Sequence, residues 1–202
     1  MIKTFVEPPL DNNNYLVIDD DSREAVLIDC SAPDKKIIDL IEKENLCLEY
    51  ILLTHAHFDH VLGVTYFQEK YDVPVYLHPA DFSLLSDLNN WLDRMGYSPA
   101  PVPTVSDLLA AQPSLTLGQQ KFQVLSTPGH TPGCVCYLLG SHLFSGDTLF
   151  KDTHGRTDLP GSSFEQMTDS LKRLMQLPPE TFVYPGHGPA TVLAAEKKNY
   201  SF

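Results

Sequence analysis

Residues 54–60, Thr54-His55-Ala56-His57-Phe58-Asp59-His60, place three histidines and an aspartate within seven consecutive positions. The apolar run Tyr50-Ile51-Leu52-Leu53 leads into this segment, and a helical pattern starts at Val61. It therefore reads as a turn at a strand end. Neutral imidazole and carboxylate are good ligands for borderline divalent metals. Packing four such groups together without a cation would bury unpaired or like-charged groups, which is costly. The alternative is a polar loop that happens to be rich in histidine.

Three further residues complete a donor set. His130 lies in the turn-rich stretch Thr127-Pro128-Gly129-His130-Thr131-Pro132-Gly133, after the strand-like run at 121–125. Asp147 follows Leu143-Phe144-Ser145-Gly146, and His187 follows Val183-Tyr184-Pro185-Gly186. Each stands at the end of a strand-like run beside a glycine, which places a side chain at the rim of a sheet and lets backbone approach closely. Together the five histidines and two aspartates suffice for two four- or five-coordinate ions plus water.

With these motifs in view, the chain resembles the metallo-β-lactamase-fold hydrolases, and among them the glyoxalase II-related (hydroxyacylglutathione hydrolase-like) group. The resemblance runs from about Asn14 to Lys198. It is carried by residues 54–60, Gly129-His130-Thr131-Pro132-Gly133, Ser145-Gly146-Asp147-Thr148-Leu149-Phe150, Gly155-Arg156-Thr157-Asp158 and Tyr184-Pro185-Gly186-His187-Gly188. It implies a four-layer αββα sandwich of two mixed sheets, of α/β (α+β) class. It also implies that His55, His57 and His130 bind one metal, that Asp59, His60 and His187 bind a second, and that Asp147 bridges them, with Asp59 at the catalytic position. An aspartate at the bridging place argues against a β-lactam-hydrolysing member. Glyoxalase II enzymes continue into a helical domain that supplies part of the glutathione site, whereas this chain stops at Phe202. A smaller acyl-thiol, or a partner subunit that completes the pocket, is the accompanying expectation.

At 202 residues, 43% hydrophobic and 20% charged, the chain is expected to form one compact domain over residues 1–202. Its net charge of −12 would repel phosphate backbones, so a nucleic-acid substrate is not expected. The N-terminal residues show no apolar leader or cleavage-site pattern, and no stretch reaches membrane-spanning length. The cytoplasm is the expected compartment, with no membrane partner. Cys30, Cys47, Cys134 and Cys136 fit neither a zinc finger nor a disulfide framework, and Cys134 and Cys136 are expected in the core.

Strands are expected at 15–18 and 24–29, an amphipathic helix at 34–45, a strand ending at Thr54, a helix from 61 to about Lys70, a strand at 73–77 and a helix at 80–88. The proline-rich stretch 89–113, with the lone Trp91, reads as a long ordered excursion over the site or as a plain connector. Strands resume from Ser114 to Phe150. Ser162 and Glu165 resemble a capping box ahead of a helix through Leu174. A last strand at 181–184 and a helix from Thr191 to about Asn199 close the chain.

A metal-bound water loses its proton near neutral pH, giving a hydroxide at a fixed place beside a polarised carbonyl. No serine or cysteine nucleophile motif accompanies the donor set. A thioester suits such a site, because its thiolate leaving group, with a pKa of about 8.5, needs little help from an acid. The expected function is metal-dependent hydrolysis of a small acyl-thiol, with S-lactoylglutathione as the leading candidate by resemblance. Two divalent ions are expected, zinc first and iron or manganese as alternatives. Arg156 is a candidate substrate contact that could clasp a carboxylate; the alternative is an arginine paired with Asp158 or Asp152 to pin its loop. Tyr184 is a second candidate contact, with a rim aromatic as its alternative. His78 and His154 are expected not to be ligands, and His142 to be solvated. The rival activities are a mononuclear-iron persulfide dioxygenase, a lactonase, and a non-catalytic metal-binding or redox-partner domain.

Overall fold

The computed structural model describes residues 1–111 and 115–200. A first sheet is built from β1 (Ile2–Glu7), β2 (Asn12–Ile18), β3 (Glu24–Ile28), β4 (Cys47–Leu52), β5 (Val75–Leu77) and β6 (Ser106–Asp107), in that order. Its first three strands are antiparallel neighbours, and β3 to β6 run parallel. Helices α1 (Lys35–Lys43), α2 (Phe58–Val61), α3 (Val64–Tyr71), α4 (Phe82–Ser86) and α5 (Leu88–Arg94) are threaded between these strands, and α6 (Leu108–Ala111) follows β6. A small hairpin, β7 (Thr116–Leu117) with β8 (Gln120–Lys121), leads to the second sheet. That sheet contains β9 (Gln123–Ser126), β10 (Val135–Leu139) and β11 (His142–Gly146). The hairpin β12 (Leu149–Phe150) and β13 (Thr153–His154) and the helix α7 (Phe164–Leu174) follow. Then β14 (Phe182–Pro185) and β15 (Thr191–Val192) complete the second sheet in the order β15-β14-β11-β10-β9, and α8 (Leu193–Glu196) lies near the end.

Alternation along the strands sets the layers. On β2, Tyr15 and Val17 face the gap between the sheets, while Leu16 and Ile18 face α1 to α5. On β10, Val135, Tyr137 and Leu139 fill the same gap, and Cys136 and Leu138 meet Met167, Leu171 and Leu174 of α7. A side-chain period of two thus gives each sheet two buried faces, and helices cover the outer ones. The expected αββα sandwich is present. Cys134 and Cys136 are buried free thiols.

Several boundaries differ from expectation. Strand β1 was not anticipated: it is an edge strand, half-exposed along its length, so its apolar pattern is weak. The helix expected from 61 to 70 is broken at Gly63, where a Cβ would stand 2.4 Å from the Ala32 carbonyl carbon. The cap of α7 is Ser163, whose hydroxyl accepts from the Gln166 N–H, and not Ser162. The stretch 89–113 is not a plain excursion: it carries all but the first residue of α5, together with β6 and α6. Its end at Pro113, and the resumption of strands at Ser114, lie outside the described residues.

Strands β11 and β14 are parallel neighbours, and β9 runs in the same direction, being antiparallel to β10 as β11 is. Their C-terminal ends therefore emerge on one rim. The turn after β4 joins it through the Val135 N–H, which donates to the Thr54 carbonyl at 2.9 Å.

Candidate metal centre

All seven expected donors come together at this rim. His55, His57 and His130 form one group, and Asp59, His60 and His187 another; His55, His60 and Asp147 form a third that overlaps both. Within each group the ligand atoms lie within 4.8 Å of one another. Asp147 sits between the two outer groups. Its Oδ1 is 3.4 Å from His60 Nε2, and its Oδ2 is 3.4 Å from His130 Nε2 and 3.6 Å from His187 Nε2. Asp59 Oδ2 is 3.1 Å from His187 Nε2 and 3.7 Å from His60 Nε2.

The surroundings fix which nitrogen each ring presents. His60 Nδ1–H donates to Asp29 Oδ2 at 2.8 Å. His130 Nδ1–H donates to the Arg156 carbonyl at 2.8 Å, and His187 Nδ1–H to the Leu10 carbonyl at 3.1 Å. Thr54 gives its hydroxyl proton to Asp29 at 2.7 Å, which leaves its oxygen to accept from His55 Nδ1–H at 3.1 Å. Four rings thus turn Nε2 inward, as metal-ligating histidines do when oxygen acceptors hold their other nitrogen. His57 presents Nδ1, 2.8 Å from His130 Nε2 and 3.1 Å from His55 Nε2. Nitrogens sharing a tetrahedral ion at 2.0–2.1 Å would stand roughly 3.3 Å apart, close to these separations.

Electrostatics supports the same reading. Burial, and then the neighbouring rings, hold His55 well below the usual imidazole range, and burial and His130 push His57 down to about 3. Both are neutral and able to ligate at pH 7. Burial alone would raise Asp147, but His60, followed by His130 and His187, holds it ionised far below the carboxylate range. Its Oδ1 is fully buried without a directed hydrogen bond among the described residues. A buried carboxylate oxygen among converging imidazole nitrogens is the donor arrangement that a divalent cation satisfies. The donor set fits divalent metal.

Side chains outside the donor set build this geometry, and little in their local sequence marks them. Asp29, buried and at φ +56°, accepts from Thr54 and His60. Asp81, also buried, accepts from the Ala56 N–H at 3.1 Å, the Thr131 hydroxyl at 2.7 Å and the Gly133 N–H at 2.7 Å. It thereby ties the His55–His57 turn to the His130 loop. Asn13 bonds the Gly186, Pro185 and Gly188 carbonyls and holds the His187 loop in place. The Asn12 amide packs across the His60 ring edge, 2.9 Å from Nε2. The buried run Asn12-Asn13-Asn14 is the one signal that was available, since three amides on a strand need buried partners.

A cavity of about 500 Å³ opens onto the donors. His57, Asp59, His130, Asp147 and His187 line its floor. Arg156 lines its mouth, with its guanidinium bound to Asp158 by two hydrogen bonds of 2.7 and 2.9 Å. Tyr184 is a correction. Its place on β14 turns the ring between the sheets, against Tyr15 and Phe144, and its hydroxyl lies 3.2 Å from His142 Nδ1. It does not line the cavity. His142 is not merely solvated either, since its ring stacks on Phe182. His78 caps the turn at 79–81 and lies outside the donor groups. His154 lines the cavity but belongs to none of those groups.

Residues 8–187 match the family model of the metallo-beta-lactamase superfamily. The chain belongs to that superfamily. It is 36% identical over 199 residues to the probable metallo-hydrolase YqgX of Bacillus subtilis, covering 96% of this chain and 93% of that protein. It is 30% identical over 199 residues to the hydroxyacylglutathione hydrolase GloC of Haemophilus influenzae, covering 94% and 92%. Among solved structures, BLEG-1 B3 metallo-beta-lactamase superposes with a TM-score of 0.89 at 36% identity, covering 98% of this chain and 97% of that one. TTHA1623 in a di-iron-bound form superposes at 0.86 and 42%, covering 98% of each. The protein is a metal-dependent hydrolase with the metallo-β-lactamase fold. Among its described residues no helix is long and apolar enough to cross a membrane.

Proposed function

We propose that the chain hydrolyses thioesters of small acyl-thiols at a centre of two divalent cations, one held by His55, His57 and His130 and the other by Asp59, His60 and His187, with Asp147 shared. The observation that carries this reading is the position of Asp147, whose carboxylate lies between the two groups, with Oδ1 3.4 Å from His60 Nε2 and Oδ2 3.4 Å from His130 Nε2 and 3.6 Å from His187 Nε2. Bound cations would supply Lewis acidity at the carbonyl and acidify a water. Asp59 is kept ionised by His60 and His187 against the upward pull of burial. It lies at the cavity floor, where it can orient the attacking water and accept its proton. The thiolate departs with little need of an acid, which fits a cavity whose one guanidinium, that of Arg156, is engaged by Asp158. Arg156 serves the site first through its backbone, which holds His130. Zinc is the first expectation, and the likeness to a di-iron form keeps iron in the comparison.

The likeness to a B3 metallo-beta-lactamase carries a second reading, cleavage of a β-lactam amide. The test is to load the chain separately with zinc and iron, count metal by elemental analysis, and assay S-lactoylglutathione, simple acyl thioesters, a lactone, a cephalosporin and, with oxygen uptake followed, a persulfide. Two ions per chain with thioester cleavage is the expected result. Turnover of the cephalosporin alone would favour the second reading. One iron per chain with oxygen uptake on a persulfide would replace both.

A further inference from the structure

The cavity says more about the substrate than the donor set does. Its walls are Leu10, Phe58, Trp91, Met95, Phe150 and Leu159. Glutathione carries two carboxylates and an ammonium, and a pocket built to read it would offer several unengaged charged groups. Among the described residues that line this cavity, the permanent cation is Arg156, and Asp158 already holds it.

The apolar wall is built rather than incidental. Helix α5 buries Leu88 and Leu92 in the core on one face and turns Trp91 and Met95, four residues apart, toward the cavity. The Trp91 ring centroid is 6.4 Å from that of His57, so the wall abuts the donor floor. Arg94 lies over the Trp91 ring at 5.8 Å. Asn89 exchanges hydrogen bonds with the Ala100 backbone at 2.8 and 3.1 Å, which ties the following loop to the helix. At the mouth, Leu10 is 49% and Met95 51% exposed. Apolar side chains half-exposed around one opening mark a surface that an apolar ligand covers.

Resting on the thioesterase reading above, we propose that the substrate carries an apolar substituent beside the scissile carbonyl, seated against Trp91 and Met95, and that Trp91 and Met95 set this preference. In the reaction, water adds to the carbonyl carbon, a C–O bond forms as the C–S bond breaks, and the proton of water ends on the departing thiol. Seating each further methylene on the wall should raise kcat/KM about fourfold until the wall is spanned.

Two substrate series test this on the metal-loaded enzyme. One varies the acyl group from acetyl to hexanoyl on N-acetylcysteamine. The other holds acetyl constant and varies the thiol from ethanethiol to hexanethiol. A rise in kcat/KM of about tenfold or more along either series supports the proposal and tells which side of the thioester meets the wall. Smaller changes along both series overturn it. Trp91→Ala and, independently, Met95→Glu should shrink the preference, chiefly through KM. A preference that survives both at full size removes it from this wall and overturns the assignment. If no thioester is turned over at all, the thioesterase reading itself fails, a result distinct from a flat series.

Discussion

Asp29 Oδ2 lies 2.8 Å from His60 Nδ1, with both side chains buried, and the same carboxylate also takes the Thr54 hydroxyl and N–H. One acid thus orients His60 directly and His55 through Thr54. Asn tolerates the left-handed backbone that Asp29 adopts at φ +56°, so Asp29→Asn tests the acceptor rather than the turn. Metal affinity should fall about 10- to 100-fold, as it does when partners behind ligands are lost. Competition against a chromophoric chelator measures it, and wild-type affinity would sink the claim.

The two outer donor groups differ in how many protons a metal must displace. Burial alone would lower His60, but Asp29, Asp147 and Asp59 hold it well above the ordinary range. Burial would lower His187 too, and its bond to Asp59 raises it. In the absence of metal these raised groups stabilise the fold below the unfolded value of about 6.5, and that contribution is lost as pH rises through their folded pKa. His55 and His57 have the opposite sign. Held low, they favour folding above about 6.5, and stability is lost as pH falls from there toward about 3. Near neutral pH zinc must therefore displace more proton from the pair His60 and His187 than from His55 and His57. Calorimetric titration of chelator-stripped protein in buffers of different ionisation heat should show proton release that falls in His187→Ala and is retained in His57→Ala. Equal loss in both variants would contradict the assignment.

The donors were legible because their chemistry is local: each is a histidine or aspartate next to a strand end, and His130, Asp147 and His187 also stand beside a glycine. The groups behind them were not. Asp29 reads as the ordinary end of a strand and Asp81 as part of the first turn of a helix, because a carboxylate's value here lies in N–H and O–H donors brought from residues 25 to 52 positions away. Tyr184 was misplaced for the reverse reason. It adjoins the His187 loop in sequence, but the pleat of β14 sends it to the inter-sheet core. The same local ambiguity put the α7 cap one residue early. Ser162 instead donates its hydroxyl to the His130 carbonyl at 2.7 Å and so supports the site.

Asp81 couples two ligand loops that are far apart in sequence, accepting from Ala56, Thr131 and Gly133. Burial pushes its carboxyl up despite these bonds. In Asp81→Asn the amide keeps one acceptor oxygen and sets an N–H against a donor. The loss should be about 2 kcal/mol, lowering Tm by roughly 4–8 °C in a chain of this size. Thermal unfolding followed by circular dichroism checks this, and an unchanged Tm would show that the loops hold without it.

Gly186 offers a way to disturb the centre without touching a donor. A Cβ there would stand 2.2 Å from Asp147 Oδ1 and 2.8 Å from His60 Cε1. His60 is held by Asp29, so the Asp147 carboxylate is the group that must give way. Gly186→Ala should therefore push Asp147 off its shared position, and metal content should fall by at least one ion per chain. Gly188 is the control. It has φ +75° and nothing within 4 Å of a built Cβ, so Gly188→Ala strains backbone alone, at about 1–2 kcal/mol, and should keep its full metal complement. Elemental analysis of the two variants side by side separates crowding at Asp147 from general destabilisation of the loop. A Gly186→Ala protein with the wild-type metal count would mean that the centre does not depend on Asp147 standing where it does.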